Sequence, residues 1–135
     1  QDLMTLAQDL GIRDCVGFLQ WQESVDEALA SMDVLVSASN EPEAFGLVIG
    51  EAMLARKPVI ATDAGGVPDL VCHERTGLLV PMGAVEPLAQ AMLRLARDEQ
   101  LAERLAAAGQ EHVRSRFTVQ GNARQVMALY EEIAR

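Results

Sequence analysis

The fold is decided by residues 33–62, which read DVLVSASNEPEAFGLVIGEAMLARKPVIAT. The stretch opens on a compact β-branched run at 33–37, a pattern typical of a buried strand. A loop rich in Ser, Asn and Pro follows, and the apolar run 44–55 then predicts a helix. A Lys-Pro pair breaks that helix before a second strand at 59–61. Strand, helix and strand in this order predict a βαβ unit of a parallel sheet.

The chain on both sides continues the same alternation of short strands and helices. Before the central stretch we predict a helix over 1–10, a strand at 15–19 and a helix opened by Ser24. After it we predict a turn at 62–66, a short helix at 67–71 and a strand at 77–81. The sequence over 87–135 is predicted to be helical, with breaks near Gly109 and at Phe117-Thr118. We therefore predict an α/β fold with a Rossmann-like parallel sheet and flanking helices. The Ala/Leu/Arg-rich tail at 88–108 is amphipathic, and we expect it to cover the sheet.

Composition limits the class of protein. The chain has 135 residues, which is one domain or less, and half of them are apolar, which excludes a disordered chain. The net charge of −9 disfavours nucleic acid or an anionic membrane as a partner. No apolar run reaches the ~18 residues of a transmembrane helix. Cys15 and Cys72 form no CxxC pair, so we expect two reduced, buried thiols of a cytoplasmic protein.

Two glutamates in the central stretch are candidates for binding chemistry. Glu51 is the only charge in the apolar run 44–55, which we expect to be buried. A lone carboxylate there either reaches water at a helix edge or faces a cleft and accepts hydrogen bonds from ligand hydroxyls. Glu43 lies just ahead of the predicted helix start at 45–47, where free N–H groups favour an anion. Gly46 lets a ligand approach the backbone closely.

A second loop is a weaker candidate. Gly65 and Gly66 also follow a strand and precede a helix, so they either make a plain tight turn or let the backbone approach a phosphate or sugar. The sequence has no cluster of His, Cys, Asp and Glu with metal-ligand spacing, and we expect no metal. A Ser–His–Asp arrangement, GxGxxG and a P-loop are also absent.

The segment from Glu43 to Glu51 resembles the E-x7-E motif of retaining GT-B glycosyltransferases of family 4. The resemblance extends over essentially the whole chain and implies a bacterial-type member of the family. It is carried further by Ser37-Ala38-Ser39, Lys57-Pro58-Val59-Ile60-Ala61-Thr62, Gly65-Gly66-Val67-Pro68, Thr76-Gly77-Leu78-Leu79-Val80 and Arg116-Phe117-Thr118.

The resemblance implies a role for each motif residue. Glu43 matches the glutamate that contacts the donor sugar beside its anomeric carbon, and is the implied catalytic residue. Phe45, Gly46 and Leu47 match the segment that contacts sugar hydroxyls and diphosphate. Glu51 matches the glutamate that holds the ribose. The donor is a nucleotide-diphosphate sugar, with no cofactor and no metal.

The same resemblance implies that residues 1–135 are a partial domain. The acceptor-binding N-terminal half and the first strands of the donor half are missing from it. We expect such a fragment to be inactive alone, and either to pair its sheet differently or to self-associate through exposed strand edges. The full protein is expected to be cytoplasmic, with membrane contact, where present, made by the other half.

The implied function is transfer of a glycosyl group to an acceptor hydroxyl with retention and without a metal. Two alternatives stay open. One is a non-catalytic module that keeps the nucleotide-sugar fold for assembly or regulation. The other is a related GT-B phosphorylase or epimerase, although a phosphorylase needs a cofactor-binding lysine and the one lysine here, Lys57, follows the motif helix at its far end.

Overall fold

Strands β1 (Leu35–Ser37), β2 (Val59–Thr62) and β3 (Leu78–Val80) pair in that order into one parallel sheet. The computed structural model describes residues 2–133. In that range the helices are α1 (Leu3–Asp9), α2 (Val25–Ala30), α3 (Leu47–Leu54), α4 (Val67–Leu70), α5 (Val85–Arg97), α6 (Glu99–Arg116) and α7 (Val119–Ile133), with a 3-10 turn at Arg13–Cys15. The predicted α/β class and parallel sheet are confirmed.

The central strand β2 is buried along its whole length because helices cover both faces of the sheet. Its alternating side chains enter two separate cores. Val59 and Ala61 pack with residues of α2, α3 and α4 on one face, and Ile60 packs with residues of α5 and α6 on the other. Each large apolar side chain buried in this way contributes about 1.5–3 kcal/mol.

Helix α6 joins the two layers around the sheet. Leu105, near its start, is fully buried in the core beneath α5, whereas Val113, near its end, is buried in the core beneath α3. Helix α6 also runs along α3, and Gln110 donates from its side chain to the carbonyl of Leu54 at 2.7 Å. The tail therefore covers the sheet, as predicted, and also supports α3.

Local signals set the ends of the helices next to the sheet. Ser24 caps α2 by accepting a hydrogen bond from the backbone N–H of Glu27 at 3.3 Å. Helix α3 ends in a Schellman motif, in which Lys57 N–H donates to the carbonyl of Ala52 at 2.9 Å and Arg56 adopts φ +58°. The chain then enters β2, so the predicted helix break before this strand is confirmed.

The strand predicted at 15–19 does not form. Within the described range, no segment pairs with it, and a strand without a neighbour has no ladder of hydrogen bonds to hold it. Its apolar side chains are consequently left in solvent, with Leu19 79% exposed and the neighbouring Trp21 88% exposed. Cys15 is exposed and Cys72 half-buried, both as free thiols, so the predicted burial of Cys15 is wrong.

The helix break predicted near Gly109 is also wrong. Residues 99–116 form one continuous helix, and the break lies at Asp98, whose side chain accepts from the N–H of Leu101 at 2.9 Å. An aspartate followed by a glutamate is an N-cap signal, and this is the signal that marked the true helix start. Gly109 is instead a site of close packing, where a Cβ would lie 2.9 Å from the carbonyl oxygen of Thr76.

Gly109→Ala is therefore expected to destabilise the fold, although alanine is the better helix former. The gain in helix propensity is about 1 kcal/mol. The new methyl group would press on the Thr76 carbonyl and the Met53 side chain, and such overpacking costs about 1–3 kcal/mol. Urea denaturation should show a net loss of about 1 kcal/mol in the free energy of unfolding. A variant more stable than the unaltered protein would mean that α6 and the turn at Thr76 separate at no cost in free energy.

The two outer edges of the sheet differ. On β3, the outward N–H of Leu79 donates to Nδ1 of His73 at 2.9 Å, so a side chain closes that edge. On β1, the described residues provide no strand beyond Leu35–Ser37, and the outer edge is open. None of the helices within residues 2–133 is both long enough and apolar enough to span a membrane.

Candidate functional site

The predicted site lies where the chain leaves β1 and enters α3. The loop after Ser37 leads to Gly46, which has φ +79° and begins α3 without any side-chain hydrogen bond. The first N–H groups of α3 therefore carry no side-chain cap, and the positive end of the helix dipole faces this loop. This is the carboxyl end of a parallel strand, the usual place for a ligand in such sheets.

Glu43 points its carboxylate at this helix start. Its Oε2 atom is buried and has no hydrogen-bond partner among the described residues. A Cβ built at Gly46 would lie 3.0 Å from that oxygen and 2.8 Å from Cδ1 of Ile49, so only glycine fits beside the carboxylate. A buried carboxylate oxygen without a partner costs free energy, so a water or a ligand group is expected to bond to it.

The paired glycines are explained by packing of the backbone against the Glu43 loop. A Cβ at Gly65 would lie 2.1 Å from the carbonyl oxygen of Glu43, and one at Gly66 would lie 2.0 Å from that of Ala44. The N–H of Gly66 donates to the Glu43 carbonyl at 2.8 Å. The two loops are thus joined directly, and the turn at Gly65-Gly66 sets the position of Glu43. Direct contact of these glycines with a ligand stays a prediction.

The expectation that the Glu51 helix is buried on nearly every side is wrong. Ile49, Ala52 and Met53 are fully buried, but Leu47 is 72% exposed and Glu51 lies on the same exposed face. The side chain of Glu51 makes no hydrogen bond or ion pair with the described residues and is exposed, so it is the helix-edge glutamate that reaches solvent. Its carboxylate projects from an exposed apolar surface, which leaves it free to accept from a ligand.

Cations near the site are few. Arg56 and Lys57 follow the opposite end of α3, which an eight-residue helix places about 12 Å from its start. Arg56 pairs with Glu103, and Lys57 donates to the carbonyl of Ala30 at 3.3 Å. Neither reaches Glu43 from there, and the engaged Lys57 does not favour the phosphorylase alternative. Residues 2–133 hold no group of three or more His, Cys, Asp and Glu arranged to bind a metal.

The structure adds neighbours that sequence reasoning missed. Ser39 and Thr62 line a small depression with Glu43 at the carboxyl ends of β1 and β2. The two larger surface depressions lie elsewhere, between β3 and α5 and at the amino ends of β1 and β2, and contain none of the predicted site residues. The chemistry of Glu43, rather than the size of a cavity, therefore identifies the site.

A further neighbour comes from the end of α6. The ring of Phe117 contacts the ring of Phe45 edge-to-face, with 5.4 Å between centroids, and His112 lies 5.9 Å from Phe117. Burial, aided by Arg116 and Arg75, lowers the pKa of His112 below its usual value. The sequence held one signal of this contact, the Arg116-Phe117-Thr118 string, but did not show where that string would lie.

Comparison with known proteins begins with a family model. The model described as "Glycosyl transferases group 1" matches residues 1–112. The chain is 34% identical over 133 residues to the N-acetyl-alpha-D-glucosaminyl L-malate synthase of Bacillus anthracis, covering 98% of this chain and 35% of that protein. It is 40% identical over 119 residues to the lipopolysaccharide core biosynthesis glycosyltransferase LpsD of Rhizobium meliloti. That match covers 87% of this chain and 34% of the relative. The chain thus spans about a third of the length of these relatives.

Solved structures resemble the fold closely. Anabaena Alr3699/HepE, in complex with UDP and glucose, superposes with a TM-score of 0.88 at 32% identity, over 96% of this chain and 35% of that one. The sucrose-phosphate synthase of Thermosynechococcus elongatus superposes with a TM-score of 0.85 at 34% identity. The superposition covers 97% of this chain and 33% of the synthase. In each case the match again covers about a third of the other protein.

Proposed function

The chain belongs to the group 1 glycosyl transferases, and on that premise we propose that it is the donor-binding part of a retaining, metal-independent glycosyltransferase. The reaction moves a sugar from a nucleotide diphosphate to an acceptor hydroxyl. The acceptor is bound by the part of the longer protein that lies outside this chain. We also propose that the protein belongs to family 4, that it is cytoplasmic, and that this chain is inactive alone.

One observation carries the proposal, the buried and unpartnered Oε2 of Glu43 beside the start of α3. A carboxylate held there suits the positive charge that develops on the sugar ring as the donor breaks. The adjacent helix start suits the negative charge that develops on the departing diphosphate. The positive charge on the sugar ring thus lies beside the Glu43 carboxylate, and the negative charge on the diphosphate lies beside the helix start. The two groups of the protein are a few ångströms apart. A module that only served assembly would have no use for such a carboxylate.

The remaining motif residues take the roles that the charges and exposure support. Phe45, Gly46 and Leu47 offer backbone groups to the sugar hydroxyls and diphosphate, because Gly46 leaves the helix start uncovered. Glu51, exposed and without a partner in residues 2–133, accepts from the ribose hydroxyls. Gly65 and Gly66 set the loop that holds Glu43, and their contact with the donor is part of the same proposal.

The donor class is supported by the solved relatives. Alr3699/HepE has been crystallised with UDP, with UDP and glucose, and with UDP-glucose, at 32% identity to this chain. A nucleotide-diphosphate sugar is therefore the ligand we propose. The open edge of β1 is where we propose that the longer protein completes the sheet, and where the isolated chain associates with itself.

The test is a thermal-shift panel of nucleotide-diphosphate sugars, with Glu51→Ala as the variant. We expect one nucleotide family to raise the Tm of the unaltered protein. Loss of a charge-assisted hydrogen bond to the ribose should weaken donor binding about tenfold in Glu51→Ala. Glu132→Ala is the matched control, since it removes an exposed glutamate from α7, away from the site. It should bind the donor as the unaltered protein does.

Each outcome has a definite meaning. Equal donor affinity in Glu51→Ala and the unaltered protein would remove the ribose role. No stabilisation by any nucleotide sugar, in this chain or in the longer protein, would contradict the donor site itself. Dependence of the reaction on free phosphate would point instead to a phosphorylase.

A further inference from the structure

A row of three rings connects the end of α6 with the loop that begins α3. His112 packs on Phe117, and Phe117 packs edge-to-face on Phe45, with centroid distances of 5.9 and 5.4 Å. Phe117 is the residue that ends α6, and its N–H donates to the carbonyl of Val113 at 2.9 Å. Its position is therefore set by a long helix that packs against α3, outside the loops that surround Glu43.

The loop that receives this contact is held on its other side by backbone. Gly66 N–H donates to the carbonyl of Glu43, and a Cβ at Gly66 would lie 3.5 Å from Cα of Phe45. Residues 43–46 therefore lie between the Gly65-Gly66 turn and the end of α6. A segment held from both sides keeps its backbone N–H groups in one orientation before any ligand arrives.

Within the described part of the chain, side-chain hydrogen bonds hold the loop at Ser39 and Glu41 but not at residues 43–46. Glu43 leaves Oε2 unpaired within residues 2–133, and Gly46 begins α3 without a side-chain cap. The ring of Phe45 is consequently the side chain through which the end of α6 contacts the loop, in addition to the backbone contact with Gly66.

We propose that Phe117, supported by His112, is a positioning residue that holds Phe45 and so keeps Glu43 and the start of α3 in the geometry that binds the donor. The proposal rests on the proposed function for the identity of the ligand. Its structural part, that Phe117 orders residues 43–46, stands on the contacts alone.

His112 serves this arrangement as a neutral ring. Its Nε2 is buried without a partner in the described part of the chain, and burial together with Arg116 and Arg75 lowers its pKa. A neutral imidazole packs against the ring of Phe117 without bringing a charge into the contact. The positive charges of the two arginines further disfavour the charged form.

The first measurement is amide hydrogen exchange of Phe117→Leu without ligand. An aromatic pair of this kind contributes enough that exchange at the Gly66 amide, which reports the bond to Glu43, should be about two- to tenfold faster. The Ile49 amide, which donates to the carbonyl of Gly46 in the first turn of α3, should follow it. The amides of Leu35 and Asp63, which bond across the sheet, should not change.

The second measurement is UDP affinity of the same variants. We expect Phe117→Leu to weaken UDP binding about two- to tenfold. Phe117→Tyr, which keeps the ring, should restore both the affinity and the slow exchange. Val119→Ala is the control, because it shortens a side chain two residues away that is 82% exposed.

The outcomes separate this proposal from the proposed function. Unchanged exchange at Gly66 and Ile49 in Phe117→Leu would overturn the positioning role, whatever the ligand. Equal acceleration at Leu35 and Asp63 would also overturn it, since the residue would then act on global stability alone. Failure of the unaltered protein to bind UDP, with selective acceleration at Gly66 intact, would count against the donor and leave the positioning role supported.

Discussion

Glu43→Gln is expected to lower the rate of sugar transfer by about 100- to 1,000-fold, the size of effect seen when one preorganised electrostatic contact to a transition state is removed. Glutamine has almost the same shape, so it fits beside Gly46 as glutamate does. It removes the negative charge that would stabilise the developing positive charge on the sugar. Because that charge is largest in the transition state, donor affinity should change by less than about threefold.

The measurement is steady-state kinetics of the longer protein that contains this chain, with donor affinity determined separately by calorimetry. Glu41→Gln is the matched control, since Glu41 is an exposed carboxylate in the same loop, two residues before Glu43. The control should retain its turnover. Full turnover in Glu43→Gln would remove Glu43 from the catalytic role. An equal loss of turnover in both variants would mean that the reaction depends on the overall charge of the loop and not on the Glu43 carboxylate.

Gly66→Ala is expected to cause the largest loss of stability among the site variants. The new Cβ would lie 2.0 Å from the carbonyl oxygen of Ala44 and 3.0 Å from its carbonyl carbon, which no side-chain motion can relieve. The two loops must separate, and the bond from Gly66 N–H to Glu43 is lost with them. Overpacking of about 1–3 kcal/mol and the lost hydrogen bond of about 1 kcal/mol together predict a loss of about 3 kcal/mol.

Gly17→Ala is the control for this variant, because a Cβ at Gly17 meets nothing within 4 Å. Urea denaturation should give a lower midpoint for Gly66→Ala and an unchanged midpoint for Gly17→Ala. Donor binding should also be lost in Gly66→Ala, since Glu43 and the start of α3 move with the loop. A variant with the stability of the unaltered protein would show that the loops do not need this contact.

The parts of the fold that could be predicted are those whose signals are local. The β-branched runs at 33–37 and 59–61 became β1 and β2, and the Ser24 cap began α2 where expected. The start of α3 fell within two residues of Phe45, because a glycine followed by an apolar run is itself a local signal. Each of these depends on a few neighbouring residues.

The predictions that failed depended on partners distant in the sequence. The apolar run at 15–19 has strand propensity, but a strand forms only beside another strand. Gly109 reads as a helix breaker until its contact with Thr76, which lies just before β3, is known. Glu51 was expected in a buried helix because its neighbours are apolar, whereas only one side of α3 is covered.

The sequence by itself determined the βαβ order, the parallel sheet and the presence of Glu43 just ahead of a helix start. Periodicity, helix caps and turn residues carry that information along the chain. Only the tertiary structure decided that Gly65 and Gly66 pack on the Glu43 backbone, that Oε2 of Glu43 is left buried without a partner, and that Phe117 reaches Phe45. These contacts join residues 22 to 72 positions apart, and they arise from how the layers pack on the sheet rather than from any local pattern.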